Sequence, residues 1–400
     1  MRAIRVAASQ PPRPAAGEAG GAKGEAKGEA KGGVSPLRSR ARPRLGWAGP
    51  DSRGPPPAPT GKPPMSDAPT VSEDLYTATI KHFGSQPEPP FEDAERLTRL
   101  WGRNWGCDND VGRLRAVLMH RPGAEFDVID RSRRINETGT FGDIEAGWYW
   151  QSDEIPELHE LQAQHDGLAD LLRAEGVEVH YVDRVEGGRF KTVYTRDSAI
   201  AVKGGAIVSR MAPRMRHGEE QAIARTLANL GMPILRTLNG SAMSEGGSFA
   251  WLNPRTAVIG RGIRVNDQGI EQIADVLRHQ GAELLVVDLC GYSIHIDGAM
   301  VMVDKDLALV DPRQLPYVFL QRLNAMGIET VEVSADDNGW IINGLAIAPR
   351  RMIIPRGISE ATREALASRG VTLLEIDYDR VQLNGGGIHC STCPLIRDPV

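Results

Sequence analysis

Polar and apolar positions alternate with helical period over 157–174, where Leu158, Leu161, His165, Leu168 and Leu172 fall three or four apart. Comparable stretches run over 219–230, 269–280, 314–326 and 359–369. Each ends in one phrase, a leucine, three residues and a glycine: LRAEG to Gly176, LANLG to Gly231, LRHQG to Gly281, LNAMG to Gly327 and LASRG to Gly370. Glycine just past a helical run supplies the left-handed conformation that ends many helices, so the phrase predicts five helix termini. A run rich in branched residues follows each glycine (VEVHYV, MPILRTL, AELLVVDL, IETVEVS, VTLLEID) and reads as a strand. Further strands follow, among them 257–260 and the pair within HIDGAMVMVDKDLALV. A period of roughly 40 to 55 residues marks one supersecondary unit repeated in space. The pattern therefore predicts an α/β fold of five units, with a strand and turn at 111–123 completing a ring. The segment 141–150, with Trp148, Tyr149 and Trp150 in a row, fits neither period; its aromatics suit a lid over a site or plain packing.

The repeats also place polar motifs. Glu245, His295 and Asn384, the last opening NGGGIHC, each lie 14 residues beyond a phrase glycine, at Gly231, Gly281 and Gly370. If the units circle an axis, that position lies at a common centre.

Composition splits the chain. Residues 1–64 carry the low-complexity run GEAGGAKGEAKGEAKGG and an Arg/Pro stretch, and read as a disordered basic tail. Two origins fit the tail: an extension upstream of a start at Met65, or a basic targeting segment, which its acidic residues and weak amphipathicity oppose. Residues 65–101 read as an N-terminal extension and 102–400 as the catalytic domain. The tail's 12 Lys and Arg against 4 Asp and Glu give +8, so the formal −5 of the whole leaves −13 for the body. An acidic body suits a small cationic substrate and argues against nucleic acid as partner. No run approaches the ~18 to 20 apolar residues of a membrane helix, which predicts a soluble protein with no membrane partner. Four cysteines in 400 residues, Cys107, Cys290, Cys390 and Cys393, make no disulfide framework and suit a reducing cytoplasm. Self-association into a homo-oligomer stays open.

Cys390 stands out for chemistry because the triple glycine Gly385, Gly386 and Gly387 before it lets backbone approach a ligand closely. A nucleophilic thiol needs a basic partner or a positive field. His295 is the candidate partner; on a strand it would share a face with Asp297. Asp197 in YTRDSAI and Glu245 in SEGGSF add two loop carboxylates. Acids converging on one place are costly unless a cation joins them, and a guanidinium donates five N–H groups in a planar fork. Cys390 and Cys393 have a CxxC spacing without a second pair, so no metal is expected. His389 would face away from its neighbour Cys390 in extended backbone and reads as structural.

YTRD, EGG, HID and GGGIHC, in this order, resemble the guanidine-modifying penteins: arginine deiminases, dimethylargininase-like hydrolases, agmatine deiminases and amidinotransferases. The resemblance covers roughly 102–395 and implies a five-bladed pseudo-symmetric α/β propeller of ββαβ units. It also implies Cys390 as nucleophile, His295 as general acid and base, and Asp197, Glu245 and Asp297 as guanidinium ligands, with no cofactor. Arg264, in GRGIRVN, matches one of the arginines that hold a substrate carboxylate in arginine deiminases. Those enzymes carry Glu-Gly-Gly-Asp where this chain has Ser248, and an arginine before the terminal glycines where it has Leu383 and Asn384. The implied activity is hydrolysis at the guanidino carbon of an arginine-like substrate through a covalent thiouronium. An amidinotransferase is the alternative, and a non-catalytic binding protein of the same fold the third reading.

Overall fold

The computed structural model describes residues 88–143 and 145–400, with isolated positions between 75 and 82. The tail expected over 1–64 lies outside the described residues. A compact unit spans Ser85–Val400. It therefore includes the end of the stretch expected as an extension. There the helix Ala94–Trp101 buries Leu97, and the Trp105 indole donates to the Trp101 carbonyl at 3.1 Å.

Among the described residues, five three-stranded sheets share one topology. In unit II, Ala199–Val202 pairs antiparallel with Gly205–Val208, the helix Glu219–Leu230 crosses over, and Ile234–Thr237 returns parallel to the second strand. Unit III repeats this with Phe249–Asn253, Thr256–Arg261, helix Asp267–His279 and Glu283–Asp288. Unit IV uses Met300–Asp304, Leu307–Val310, helix Tyr317–Ala325 and Glu329–Glu332. Unit V uses Leu345–Ala348, Arg351–Pro355, helix Glu360–Ala367 and Thr372–Ile376. Unit I is assembled from both ends of the domain: Leu114–Met119 leads through helix Leu158–Ala174 to Glu178–Tyr181, and its first-position strand is Cys393–Arg397. The third strand of each sheet is half exposed, whereas the first is almost wholly buried. Buried on both faces, those strands read as short apolar runs rather than alternating ones.

The recurring phrase is a Schellman stop, five times over. All five glycines have positive φ, between 72° and 83°. Each glycine N–H bonds the carbonyl three residues back, and the next N–H bonds the phrase leucine's carbonyl, from Val177 to Leu172 at 2.9 Å through Val371 to Leu366 at 3.1 Å. Leu172, Leu227, Leu277, Leu323 and Leu366 are fully buried. The phrase thus ends the helix and anchors it with one leucine.

The aromatic segment forms a sixth, small sheet of Arg134–Ile135, Thr140–Asp143 and Trp148–Trp150. Alternation along its last strand buries Trp148 and Trp150 against Phe190 and leaves Tyr149 facing the site cavity. Packing and cavity-lining are both realised, by alternate residues.

Candidate active site

A tight turn precedes every first-position strand: Thr195–Ser198, Gly246–Ser248, Ile296–Gly298, Ile341–Asn343, and the turn at 388–391. These turns are bonded to one another in a cycle. Gly247 N–H donates to Asp197 Oδ1 (3.1 Å), the Ser248 hydroxyl to the Ile294 carbonyl (3.3 Å), and Asn343 Nδ2 to the Asp297 carbonyl (3.2 Å). Cys390 N–H donates to Asn343 Oδ1 (3.2 Å), and Arg196 N–H to the Cys390 carbonyl (3.0 Å). Residues far apart in sequence thereby converge on a cavity of about 470 Å³, lined among others by Cys390, His295, Asp197, Asp297, Asn343, Arg216, Arg264 and Lys191.

His295 and Asp297 do not share the face of a strand. A 3-10 turn begins right after His295, so the two side chains splay around it, with Nδ1 4.0 Å from Asp297 Oδ1 and 3.5 Å from Asp197 Oδ1. The other ring nitrogen, Nε2, bonds Glu245 Oε2 at 2.8 Å. Burial opposes a charged ring, but Asp197, Glu245 and Asp297 outweigh it and raise the His295 pKa to about 9. Burial likewise opposes the Glu245 charge, yet the bond from His295 prevails and its pKa falls to about 2. The pair is an imidazolium on a carboxylate at neutral pH.

Glu245, expected to touch a substrate, lies behind His295 instead. It is fully buried and outside the cavity lining; Arg264 Nη1 takes the same Oε2 at 2.8 Å, and Ala212 N–H bonds Oε1 at 2.8 Å. Gly247 shows why this motif needs glycine, since a Cβ there would stand 2.6 Å from His295 Nδ1 and 2.7 Å from Asp197 Oδ1.

Asp197 does line the cavity, but its Oδ2 is held by the guanidinium of Arg216, which also forks onto Glu219 through Nε (2.9 Å) and Nη2 (2.8 Å). Arg216 was absent from the sequence-based site, although a signal existed. It follows Asp197 by the same 19 residues that separate Arg264 from Glu245. Each arginine pairs with the acid of its own unit.

Cys390 Sγ lies 3.4 Å from Asp297 Oδ2. Burial, then the Asp297 and Asp197 charges, hold its pKa well above the usual thiol value, which favours the protonated thiol. His389 turns inward rather than away, because the backbone forms a turn there; its Nδ1 bonds Asp297 Oδ2 at 2.9 Å. Burial would raise the Asp297 pKa, but the bond from His389 brings it below the usual carboxylate value. Asn343, which joins Cys390 to Asp297, was also missed. Its motif, WIING, is apolar except for that one residue and carries no chemical signal. The CxxC partner Cys393 is buried at the start of its strand, and both cysteines are free.

Asp197, Glu245 and His295 bring ligand atoms within 4.8 Å of one another, a spacing a metal ion could use. A metal would have to displace the His295 proton and compete with Arg216 and Arg264 for the carboxylates.

Repeated ββαβ units and a buried cysteine, histidine and acid cluster at their meeting point define a guanidine-modifying pentein. The family model for eukaryotic N,N dimethylarginine dimethylhydrolase matches residues 145–397, and the chain belongs to that family. Among curated relatives, the uncharacterized protein YkgA of Bacillus subtilis (strain 168) is 25% identical over 291 residues, covering 73% of this chain and 95% of that protein. The arginine deiminase of Mycolicibacterium gilvum (strain PYR-GCK) is 24% identical over 414 residues, covering 74% and 98%. Solved structures share the fold. A DDAH mutant from Pseudomonas aeruginosa complexed with citrulline superposes with TM-score 0.57 at 18% identity, covering 71% of this chain and all of that one (100%). The inosamine-phosphate amidinotransferase of Streptomyces griseus gives 0.58 at 16% identity, covering 74% and 97%. No described helix is long and apolar enough to cross a membrane.

Proposed function

We propose that the protein hydrolyses the guanidino carbon of an arginine-like substrate through a covalent Cys390 thiouronium, and that its five sheets are the blades of a propeller centred on the cycle of turns. One observation carries this reading: the Cys390 thiol and the His295 ring share a buried cavity with the Asp197 and Asp297 carboxylates. A guanidinium entering there brings positive charge to the two acids that hold the thiol protonated. The thiol proton leaves through Asp297 Oδ2, the oxygen it already faces.

The thiolate forms the S–C bond, and the C–N bond to the leaving amine breaks as His295 gives that nitrogen a proton. Neutral His295 then takes a proton from water as its oxygen adds to the carbon. Collapse of that adduct breaks the C–S bond as its hydroxyl proton passes to the sulfur, which restores the Cys390 thiol and frees a ureido product, and the proton first taken through Asp297 leaves on the released amine. Glu245 sets the ring's orientation, and Asp197 and Asp297 hold the guanidinium planar and in line. Arg264 stands at the cavity to meet the substrate's distal end.

Cys390→Ser should abolish both turnover and the substrate mass adduct on the protein; full activity in that variant would remove the covalent scheme. Transfer to an acceptor amine is the second reading, favoured by the fold's likeness to an amidinotransferase. Ureido product formed with no acceptor present selects hydrolysis.

A further inference from the structure

Two groups on the cavity wall are left unused by that mechanism. The first is Lys191, which is buried; its ammonium donates to the Asn384 carbonyl and lies 4.8 Å from the centroid of the Tyr149 ring. No carboxylate pairs with it among the described residues. The cavity's other cations differ in this: Arg216 is met by Asp197 and Glu219, and Arg264 by Glu245. A buried ammonium without a counter-charge is costly. Burial, then the charges of Arg216 and Arg264, hold its pKa well below the usual lysine value, and the charge of Glu219 offsets them only in part.

The second is Asn384, whose Nδ2 reaches the Phe190 carbonyl at 3.4 Å while its Oδ1, buried, has no hydrogen-bond partner among the described residues. Both residues line the cavity. An unpaired cation beside an unpaired acceptor is a subsite shaped for a group carrying the opposite pair, an anion next to an N–H donor.

We infer that Lys191 and Asn384 are specificity-determining residues that read the tail of the substrate, Lys191 binding an anionic group such as a carboxylate and Asn384 Oδ1 accepting from an adjacent ammonium. The inference rests on the guanidino reading above and adds to it which side chains select the tail. Arg216 is met by two carboxylates and Arg264, which also faces the cavity, by one, whereas Lys191 has no direct carboxylate partner among the described residues. A guanidino compound without an anionic tail meets an uncompensated ammonium there and is disfavoured.

The test compares L-arginine, agmatine, which lacks the carboxylate, and 5-guanidinopentanoate, which lacks the α-ammonium. Turnover is measured in the otherwise native protein, and binding by titration calorimetry in the Cys390→Ser background, where no chemistry occurs. Lys191→Met should weaken L-arginine and 5-guanidinopentanoate by about tenfold or more in KM and Kd, the loss expected for one charged hydrogen bond, with kcat little changed. Agmatine should bind as well as before or better, and Lys191→Arg should recover part of the loss. Asn384→Leu should weaken L-arginine and agmatine, leaving 5-guanidinopentanoate unaffected. Should Lys191→Met not fold, Lys191→Gln carries the same comparison.

Equal weakening of all three ligands by the lysine variants, or no weakening, overturns the inference. If nothing is turned over but the lysine-dependent preference survives in Kd, the inference stands and the catalytic reading falls.

Discussion

His295 carries the most consequence for its size, because a ring that burial would leave neutral is kept charged by three carboxylates. Its folded pKa of about 9 lies above the ordinary 6.5, so its contribution to stability is complete below about pH 6.5 and is lost as pH rises through 9. Glu245 behaves in the opposite sense. Its pKa of about 2 lies below 4.5, so its contribution is present above about pH 4.5 and is lost as pH falls toward 2. Stability should therefore be greatest between these limits. Thermal melts across pH should show a decline from pH 6.5 to 9 in the wild type that is absent in His295→Asn; identical alkaline profiles would refute the charged-ring assignment. At this scale Cys390, His295 and the acids were legible as residue types in unusual settings. Asn343 was not singled out and His389 was read as structural, because each acts through a partner distant in sequence, while Arg216 went unnoticed although its spacing from Asp197 repeats that of Arg264 from Glu245. Glu245 was legible as important but not as a support behind the ring, since only packing decides which acid faces a cavity.

Among the elements, the helix stop was the clearest signal, because a Schellman motif is local and its leucine and glycine sit at fixed offsets. Gly281 has φ of 72° with nothing within 4 Å of an added Cβ, so Gly281→Ala should cost the backbone term alone, about 1–2 kcal/mol. Denaturant unfolding measures this directly; a cost near zero would mean the left-handed residue is not what ends the helix. The strands after each phrase were legible for the same local reason. The pair His295 and Asp297 was misplaced on a strand, because alternation over five residues cannot be told from a short turn feeding a strand. The turn matters: it leaves His295 Nδ1 between Asp197 and Asp297 rather than beside one acid.

For the whole molecule, the decisive contact is made by the strand Cys393–Arg397, which pairs antiparallel with Leu114–Met119 and so joins the two ends of the domain. The turn before it carries Cys390. Truncation after residue 392 should remove the cooperative thermal transition as well as the activity, because the strand Leu114–Met119 loses its antiparallel partner and the cores lose buried Cys393 and Leu395. A truncated chain that still melts cooperatively near the wild-type temperature would show the closure to be dispensable. The amino-acid order by itself determined five helix stops, the strands that follow them and the chemical character of Cys390, His295 and the acids, because these depend on contacts within a few residues. Only the tertiary structure decided which acid supports the imidazole, which arginine answers which carboxylate, and that Lys191 comes to lie against Asn384, since hydrogen bonds across 50 to 193 positions depend on how the units close upon one another.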